Sequence, residues 1–477
     1  MRPQSIHQWR QCDCLSITLN YYNENVGFFE PQMHYLGKDG TGKTVSDCPI
    51  IYYSVAKLWK VFGYHEFIYR LVVLTLCFLG LVALMKTIEK ILNDSFIAIF
   101  ISLLMYTSAI LVYYSNNFLM NVPSFSLALI AIFFFYRFYE TERSLFLWIS
   151  MLFYLLGGLL KIPALTSFIA ILGAFVVESF GLVKLNNGKR LFSKPAKQIL
   201  PFLVVIAVII AWYNYAYLYN QKYNSGIFLI GTLAIWDLSY ERISTIIEHA
   251  WILWFDSYHS PYIQYILVLL VIILFVFRKK INKLLLLLTA FLAIGFILFI
   301  LLWFSVFDQH DYYLINQLIF MIAILLTFFH FIRKHHKKIF TNGWFRIALL
   351  LILFQNVFHC RNIIDMRYNS WPNDWHKSQF QALETITPFL DSIGVKHNDK
   401  VLFMNDGSFN IPLYLMERKG YTAYWSTSED VVKERANQVD YVITNDTSTL
   451  KREEISSFID QRVGTYKNIS IYSLRKE

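Results

Sequence analysis

Residues 284–307 read LLLLLTAFLAIGFILFILLWFSVF and contain no charged side chain. An apolar run of about 20 residues is long enough to cross the hydrocarbon core of a bilayer as a helix. Similar or shorter apolar runs recur along the chain, at 67–85, 96–114, 118–136, 145–160, 162–178, 200–219, 262–277, 312–332 and 344–359. The sequence therefore predicts a polytopic α-helical membrane protein with about ten spans. Two short runs, 145–160 and 162–178, meet at Lys161, as either a tight helical hairpin or one re-entrant unit.

The composition agrees with this class of protein. Of the 477 residues, 56% are hydrophobic and 16% are charged, whereas charged residues make up about a quarter of a soluble protein. Such a chain is too apolar to fold around one water-soluble core, and it is unlike a disordered or collagen-like chain. Five cysteines in a chain of this length do not form a disulfide framework.

The net charge of +10 is better explained by membrane orientation than by nucleic-acid binding, because basic residues concentrate in alternate loops. That set of loops carries Lys86, Lys90, Arg137, Arg143, Lys184, Lys189, Arg190, Lys194, Lys197, Arg278, Lys279, Lys280, Lys283, Arg333, Lys334, Lys337 and Lys338. The opposite short loops carry only Lys161, Lys222 and Arg242. The positive-inside rule places the basic set in the cytoplasm. The other loops, at 115–121, 220–261 and 307–311, and both ends of the chain are then expected to be extracytoplasmic.

The chain divides by composition into three predicted domains. Residues 1–66 form a first extracytoplasmic loop, and residues 67–360 form the transmembrane helical domain. Residues 361–477 are more polar, and short apolar runs at 400–404 and 439–444 alternate there with helix-like patterns, which predicts a small extracytoplasmic α/β domain. Because nothing in the sequence would carry residues 1–66 across the membrane, we also expect a further transmembrane helix upstream of Met1.

One glycine-rich segment matches a nucleotide-binding pattern, but the residues on either side of it do not. Residues 37–44 read GKDGTGKT and fit the phosphate-binding loop pattern letter for letter. That pattern needs a buried strand before it and a helix after it. The preceding residues, 32–36, do not make a convincing buried strand, and Pro49 interrupts any helix that would follow. We therefore predict a glycine turn.

Polar residues gather in four places that the topology puts on the outer face. They are His7-Gln-Trp-Arg-Gln-Cys-Asp13, Asp47-Cys-Pro-Ile-Ile-Tyr-Tyr53, Asp308-Gln-His-Asp-Tyr-Tyr313 and Lys161. Each also has an ordinary structural explanation. Asp13 suits a solvated helix cap, the aromatic residues suit interface anchors, and a lone lysine at a helix end suits snorkelling.

Taken in order, these motifs resemble those of the bacterial C-type (GT-C) membrane glycosyltransferases related to protein O-mannosyltransferases and lipid A aminoarabinose transferases. In that family the first loop has the form H-Q-W-R-Q-x-D, then a [DE]-x-P-x-Y-like stretch and a helix closing in F-G. A glycine pair before a lysine turn matches 157–163, and an H-D-Y-Y motif matches 310–313. The resemblance covers about residues 1–360. Ile162 and Cys48 depart from the pattern, and the family's first helix is missing.

The resemblance implies an inverting transfer of a sugar from a polyprenyl-phosphate donor to an acceptor hydroxyl. A carboxylate serves as general base, and positive groups hold the leaving phosphate. We assign Asp13 as the base, with Asp47 as second choice or orienting partner. The predicted substrate-binding residues are His7, Trp9, Arg10, Gln11, Lys161, His310, Asp311, Tyr312 and Tyr313. Of these, Arg10, Lys161 and His310 are candidates for the phosphate, and Trp9 for stacking on the sugar.

Further expectations follow from the same resemblance. The partners are the lipid-linked donor, an extracytoplasmic acceptor (protein, lipid or polysaccharide) and the membrane, here the bacterial inner membrane. No cofactor is assigned, and binding of a divalent metal ion is left open because some C-type enzymes bind one. Cys48 is a candidate for a disulfide with Cys12 or Cys14. The alternative is a transporter or flippase of lipid-linked sugars, which is disfavoured because no internal repeat is visible.

Overall fold

The computed structural model describes residues 2–475 apart from 187, 229–230, 370, 405, 407 and 424–427. The described part of the chain is mostly helical, with one small sheet near the C terminus. The helices are α1 (Gln8–Glu24), α2 (Ile50–Phe62), α3 (Glu66–Leu92), α4 (Ser95–Tyr106), α5 (Ala109–Ser115), α6 (Asn121–Thr141), α7 (Ser144–Leu160), α8 (Thr166–Ser179), α9 (Pro195–Gln198), α10 (Leu200–Lys222), α11 (Tyr240–His249), α12 (Phe255–Tyr258), α13 (Pro261–Val276), α14 (Lys283–Leu302), α15 (Leu318–His335), α16 (Lys337–Phe340), α17 (Gly343–Tyr368), α18 (Trp371–Gln379), α19 (Thr387–Ser392), α20 (Ile411–Leu415), α21 (Ser428–Arg435) and α22 (Glu453–Ser456).

The prediction of a polytopic helical membrane protein is confirmed. Within the described residues, seven helical segments are long and apolar enough to cross a membrane: Glu66–Leu92, Asn121–Thr141, Ile162–Ser179, Pro195–Lys222, Lys283–Leu302, Asp311–His335 and Gly343–Tyr368. Two bent helix pairs bring the number to nine if each pair is one span. The remaining predicted run is α7, a shorter apolar helix of 17 residues. Each of the ten predicted runs thus contains a helix.

One predicted span, 96–114, is broken in the middle. Helices α4 and α5 meet at an angle of 72°, and Ser108 between them is extended, with φ −65° and ψ 120°. A break inside an apolar span exposes backbone groups that lipid cannot satisfy. Here the side-chain amide of Asn356 donates to the carbonyl oxygen of Thr107 at 2.9 Å and to its hydroxyl at 3.0 Å. A polar side chain on α17 therefore stabilises the break.

The chain folds as two compact units. The first unit comprises Met1–Tyr69, Asn214–Ile230 and Met366–Glu477, and the second comprises Arg70–Tyr213 and Gly231–Asp365. The N-terminal segment and the C-terminal residues, which the sequence suggests are separate domains, thus belong to the same unit.

The sheet of the first unit is mixed, as expected for a small α/β domain. Its strands are β1 (Val401–Met404), β2 (Gly420–Thr422), β3 (Tyr441–Thr444), β4 (Ile459–Tyr466) and β5 (Ile469–Leu474), in the order β2-β1-β3-β5-β4. Strand β1 is parallel to both of its neighbours, whereas β5 is antiparallel to β3 and β4. All four side chains of β1 are buried, which suits an apolar central strand covered on both faces.

Part of the N-terminal segment adds to the edge of this sheet. The amide of Leu36 donates to the carbonyl of Gly420 at 2.9 Å, and the amide of Gly420 donates to the carbonyl of His34 at 3.0 Å. The two hydrogen bonds tie residues 34–36 to the start of β2. They fix the segment that follows α1 against the C-terminal part of the same unit.

The glycine turn predicted at 37–44 is confirmed. Gly37, Gly40 and Gly42 all have positive φ, a conformation that side chains with a Cβ rarely adopt. A Cβ at Gly42 would lie 2.6 Å from the carbonyl oxygen of Met33. The next helix, α2, begins only after Pro49. The segment therefore lacks the helix that a phosphate-binding loop requires.

Candidate functional site

Helix α1 is unusual because its buried residues include many polar side chains. Arg10, Gln11, Asp13, Ser16 and Asn20 are all less than one-tenth exposed. Burying polar groups is unfavourable unless they find partners. Helix α1 buries more polar side chains than a helix that only packs in a core. Departures of this kind from ordinary burial concentrate at functional sites.

Arg10 and Asp13 lie on the same face of α1, because residues three apart are neighbours on a helix. Nη1 of Arg10 is 3.6 Å from Oδ2 of Asp13. Nη2 of the same guanidinium donates to Oδ2 of Asp47 at 3.1 Å and to the hydroxyl of Ser46 at 2.8 Å. One arginine thus joins the two carboxylates that the sequence suggested as catalytic. The three charged groups sum to −1 when both carboxyls are ionised.

The other oxygen of Asp13 is held from the C-terminal part of the unit. Nδ2 of Asn410 donates to Oδ1 of Asp13 at 2.9 Å, and both side chains are 0% exposed. The side-chain oxygen of Asn410 accepts from the backbone amide of Tyr35 at 2.9 Å. Asp13 therefore has one oxygen fixed by an amide and the other turned towards Arg10.

Burial raises the pKa of Asp13 to about 6, although Arg10 and the hydrogen bond from Asn410 act in the opposite direction. A carboxyl with this pKa is mostly ionised at pH 7 but remains a stronger base than an ordinary aspartate. General bases work best when their pKa lies near the operating pH. The electrostatics of the site therefore suit proton abstraction by Asp13.

One oxygen of Asp47 accepts three hydrogen bonds. Its Oδ2 accepts from Arg10, from the hydroxyl of Ser46 at 3.0 Å and from the hydroxyl of Tyr52 at 3.2 Å. The thiol of Cys14 lies 3.6 Å from the same Tyr52 hydroxyl. An oxygen with three donors is poorly placed to take a further proton from a substrate. The orienting role of Asp47 stays a prediction.

The remaining predicted residues of the first motif lie on or beside α1. His7 precedes the helix in the left-handed conformation, with φ 56°, and Trp9 is half-buried. The side-chain amide of Gln11 donates to the carbonyls of Gln4 at 2.9 Å and Ile6 at 3.2 Å. Gln11 thus holds the N-terminal residues in place, and contacts of all three residues with substrate stay predictions.

The second unit brings the predicted H-D-Y-Y residues into one aromatic cluster. The ring of His310 stacks on those of Tyr312 and Tyr313, with centroids 5.4 and 5.7 Å apart. Asp311 is 2% exposed, and its Oδ1 accepts from the hydroxyl of Tyr114 at 2.7 Å. This hydrogen bond ties Asp311 to Tyr114, and contacts of the H-D-Y-Y residues with substrate stay predictions.

Lys161 lies at a helix break in the same unit. It is extended, with φ −157° and ψ 122°, between the end of α7 and a 3₁₀ turn at Ile162–Leu165. That turn packs against the 3₁₀ helix Asp311–Gln317, and Gln317 donates to the hydroxyl of Thr166 at 3.1 Å. The structure thus brings the turn after Lys161 together with the helix that begins at Asp311. A Cβ at Gly158 would lie 2.8 Å from Leu165, so the glycine allows the end of α7 to pack closely on the turn itself.

Sequence reasoning missed several partners of the predicted residues. It gave no role to Asn410, Ser46 or Tyr114, and it did not pair Asp308 with Arg242 and His249. Burial opposes ionisation of Asp308, but these two partners outweigh it and hold the pKa of this carboxyl below its usual value. These partners lie outside the motifs, and most are far in sequence from the residues that they contact. No local sequence pattern therefore predicts them.

The predicted disulfide is not formed. Cys12, Cys14 and Cys48 are all free and buried, so the expectation of a bridge from Cys48 is wrong. Among the described residues, no group of three or more His, Cys, Asp or Glu could hold a metal ion.

These features define a class: a multi-pass membrane protein of GT-C fold with a small C-terminal mixed sheet. The chain is similar in structure to ArnT from Cupriavidus metallidurans, a GT-C aminoarabinose transferase, in a crystal structure with bound undecaprenyl phosphate. That match has a TM-score of 0.60 and 10% identity, and it covers 99% of this chain and 94% of ArnT. The apo structure of the same ArnT matches with a TM-score of 0.56 and 9% identity, covering 97% and 93%. At this identity the likeness establishes the fold. No protein family model and no curated protein matches the sequence.

Proposed function

We propose that this protein transfers a sugar from a polyprenyl-phosphate donor to a hydroxyl of an acceptor outside the cytoplasm, with inversion at the anomeric carbon. The fold supports a lipid-linked donor, because the ArnT structure with the same fold holds undecaprenyl phosphate. The basic residues of alternate loops support the orientation. Asp13, buried beside Arg10 and with a pKa near neutrality, supports the chemistry.

The reaction is a single displacement. The acceptor oxygen forms a bond to the anomeric carbon while its proton passes to Oδ2 of Asp13. The bond between that carbon and the phosphate oxygen breaks, and polyprenyl phosphate leaves with the electron pair. Phosphate needs little acid assistance as a leaving group, so one carboxylate suffices, in contrast to the pair that glycosidases use.

The proposal rests on two neighbouring polar atoms, one on Asp13 and one on Arg10, that face each other. Oδ2 of Asp13 and Nη1 of Arg10 are both buried and have no hydrogen bond within the described part of the chain. They are 3.6 Å apart, which is too far for a hydrogen bond between them. A hydroxyl that donates to the carboxylate and accepts from the guanidinium satisfies both groups. That is the position of an acceptor hydroxyl about to lose its proton.

An aromatic side chain lies beside this pair of groups. The ring of Phe228 lies 4.8 Å from the guanidinium of Arg10, at the distance of a cation–π contact. Gly226, two residues earlier, has φ 63°, and a Cβ built there would meet no other atom within 4 Å. In the proposal, displacement of Phe228 admits the acceptor.

The second unit supplies the candidates for the donor. A lysine and an imidazole suit phosphate oxygens, and Lys161 and His310 have these groups. Tyr312 and Tyr313 can donate hydrogen bonds or pack against the prenyl chain, whose burial contributes roughly 0.8 kcal/mol per CH₂. Arg10 is engaged with two carboxylates, so in this proposal it orients them and the acceptor.

Deletion of the gene tests the function. Mass spectrometry then compares surface polysaccharides, lipids and glycoproteins of the deletion strain with those of strains complemented by wild type, Asp13→Asn or the control Asp374→Asn. Asp374 is exposed and lies in the same unit. We expect one glycan modification to be lost and to return with wild type and the control, but not with Asp13→Asn. Unchanged glycans, or full rescue by Asp13→Asn, would overturn the proposal.

A further inference from the structure

We infer that Asn410, in the C-terminal part of the chain, is a positioning residue that presents Asp13 to the acceptor. The inference rests on the function proposed above, since it assigns a role in the same reaction. Asn410 acts through Asp13 and has no assigned contact with substrate. Its role is to hold Oδ1 so that Oδ2 is the oxygen that receives the proton.

The orientation of the Asn410 amide follows from its two partners. A backbone N–H can only donate, so the contact from Tyr35 identifies the acceptor side of the amide as Oδ1. The NH₂ group must then point to Asp13, whose Oδ1 lies 2.9 Å away. Tyr35 itself is placed by the pairing of residues 34–36 with Gly420. The orientation of the donor is therefore set by the sheet.

A purely structural role explains this asparagine poorly. Asn410 occupies the position before α20, where an asparagine side chain usually caps the helix by accepting from its first amides. Here it makes no such cap. The amide of Ile411 is instead satisfied by the hydroxyl of Ser408 at 3.2 Å. Instead of capping its own helix, the side chain of Asn410 donates to the buried carboxylate of Asp13 on α1.

The contact has a chemical consequence. A donor to a carboxylate stabilises its ionised form and lowers its pKa. Asn410 is one of the groups that oppose the effect of burial on Asp13. Without this donor, more of Asp13 would be protonated near neutral pH and unable to accept a proton. The amide also stops the carboxyl of Asp13 from rotating, which keeps its Oδ2 beside Arg10.

Infrared spectroscopy of the purified full chain tests the contact without any substrate. The C=O band of protonated Asp13 is identified by its absence in Asp13→Asn, and its intensity is followed against pH. In Asn410→Leu the donor is gone, and we expect the midpoint of Asp13 to rise by about one to two pH units. Asn410→Asp keeps the size and the acceptor for Tyr35 but removes the donor. We expect that pair to titrate jointly, also above the wild-type midpoint.

The matched control is Asn398→Asp, the same chemical change at an exposed position of the same unit. It should leave the midpoint unchanged. Thermal unfolding identifies folded variants, and Asn410→Asp decides the question if Asn410→Leu does not fold. Wild-type midpoints in the folded Asn410 variants would overturn the inference.

Activity provides the second arm. In membranes, the pH at which the transfer found in the deletion experiment is half-maximal should rise with the infrared midpoint. A midpoint that rises without any change in the pH dependence of transfer would also overturn the positioning role. If wild type lacks transfer altogether, the proposed function fails, and the infrared result still shows whether Asn410 holds Asp13.

Discussion

The guanidinium of Arg10 lies 3.6 Å from the carboxylate of Asp13, one helical turn away, and it donates to Asp47 at 3.1 Å with its other terminal nitrogen. The arginine is 6% exposed and Asp13 is 0% exposed. A buried cation between two carboxylates reduces their mutual repulsion, but it leaves one negative charge in excess. Burial is what raises the pKa of Asp13 and keeps it able to take a proton, while Arg10 acts in the opposite direction.

Asp13→Asn keeps the shape of the side chain and removes the base. We expect the rate of transfer in membranes to fall by about 10²–10⁴, the usual contribution of a general base. The rate is measured by mass spectrometry of the product that the deletion experiment identifies. Asp374→Asn should retain the wild-type rate. An Asp13→Asn rate within a few-fold of wild type would remove Asp13 from the catalytic role.

The same variant should be more stable than wild type at high pH. The pKa of Asp13 is raised from 3.8 to about 6 in the fold, so the folded state binds its proton more tightly than the unfolded chain. Stability from this group is present below about pH 4 and is lost as pH rises through 6. Asparagine resembles the protonated form, which predicts a gain of about 2 to 3 kcal/mol at pH 8. Unfolding of both proteins at pH 5 and pH 8 checks this, and a larger gain at pH 5 would contradict it.

The pKa of Asp13 also predicts the pH dependence of transfer. Only the ionised carboxylate accepts the proton, so the rate should fall as pH drops through about 6. The initial rate in membranes between pH 4.5 and 8.5 measures this midpoint. A rate that stays constant down to pH 4.5 would mean that no group with the titration of Asp13 is needed.

The fold was largely predictable because a membrane span is a local property of the sequence. An apolar run of sufficient length has few alternatives to a helix in lipid, and all ten runs contain one. What escaped prediction depends on contacts between distant residues. The break at Ser108 is stabilised by Asn356, and α17 continues to Tyr368 instead of ending near 359. Neither the break nor the longer helix can be predicted from the local sequence pattern.

The candidate site was predictable only in part. Asp13, Arg10 and Asp47 lie together as their shared motifs suggested. Asn410 could not be found, because it lies in the C-terminal α/β region and contacts Asp13 across 397 positions. Asp13 belongs to the first unit, and Lys161 and His310 belong to the second.

Arg10→Gln should destabilise the first unit. It leaves Asp13 and Asp47 buried without their shared cation, and breaking a buried ion pair from one side costs roughly 3 to 5 kcal/mol. Thermal unfolding at pH 8 measures the loss, and it should shrink at pH 5, where Asp13 is protonated. The control is Arg475→Gln, at an exposed arginine of the same unit. Equal losses in the two variants would show that the carboxylates do not depend on Arg10.

The buried cysteines should react slowly in the native protein. Burial raises the pKa of Cys14 to about 11 and that of Cys48 to about 12, and the thiolate is the reactive form. Maleimide should therefore label them only on unfolding, and mass spectrometry without reduction should show five free thiols per chain. A mass two units lower, with Cys48 in a crosslinked peptide, would show that a disulfide does form.

Lys161→Ala should weaken binding of polyprenyl phosphate, the lipid part of the donor, without changing the titration of Asp13. Lys161 lies at the break after α7, beside the turn that packs on the helix starting at Asp311. Loss of a charged hydrogen bond to phosphate typically reduces affinity about tenfold or more. The measurement is binding of undecaprenyl phosphate to the full chain in nanodiscs. Lys161→Arg should retain most of the affinity because it keeps the charge, and Lys338→Ala, at an exposed lysine, should retain all of it. An unchanged affinity in Lys161→Ala would show that the phosphate is held elsewhere, and His310→Ala would then be the next variant to measure.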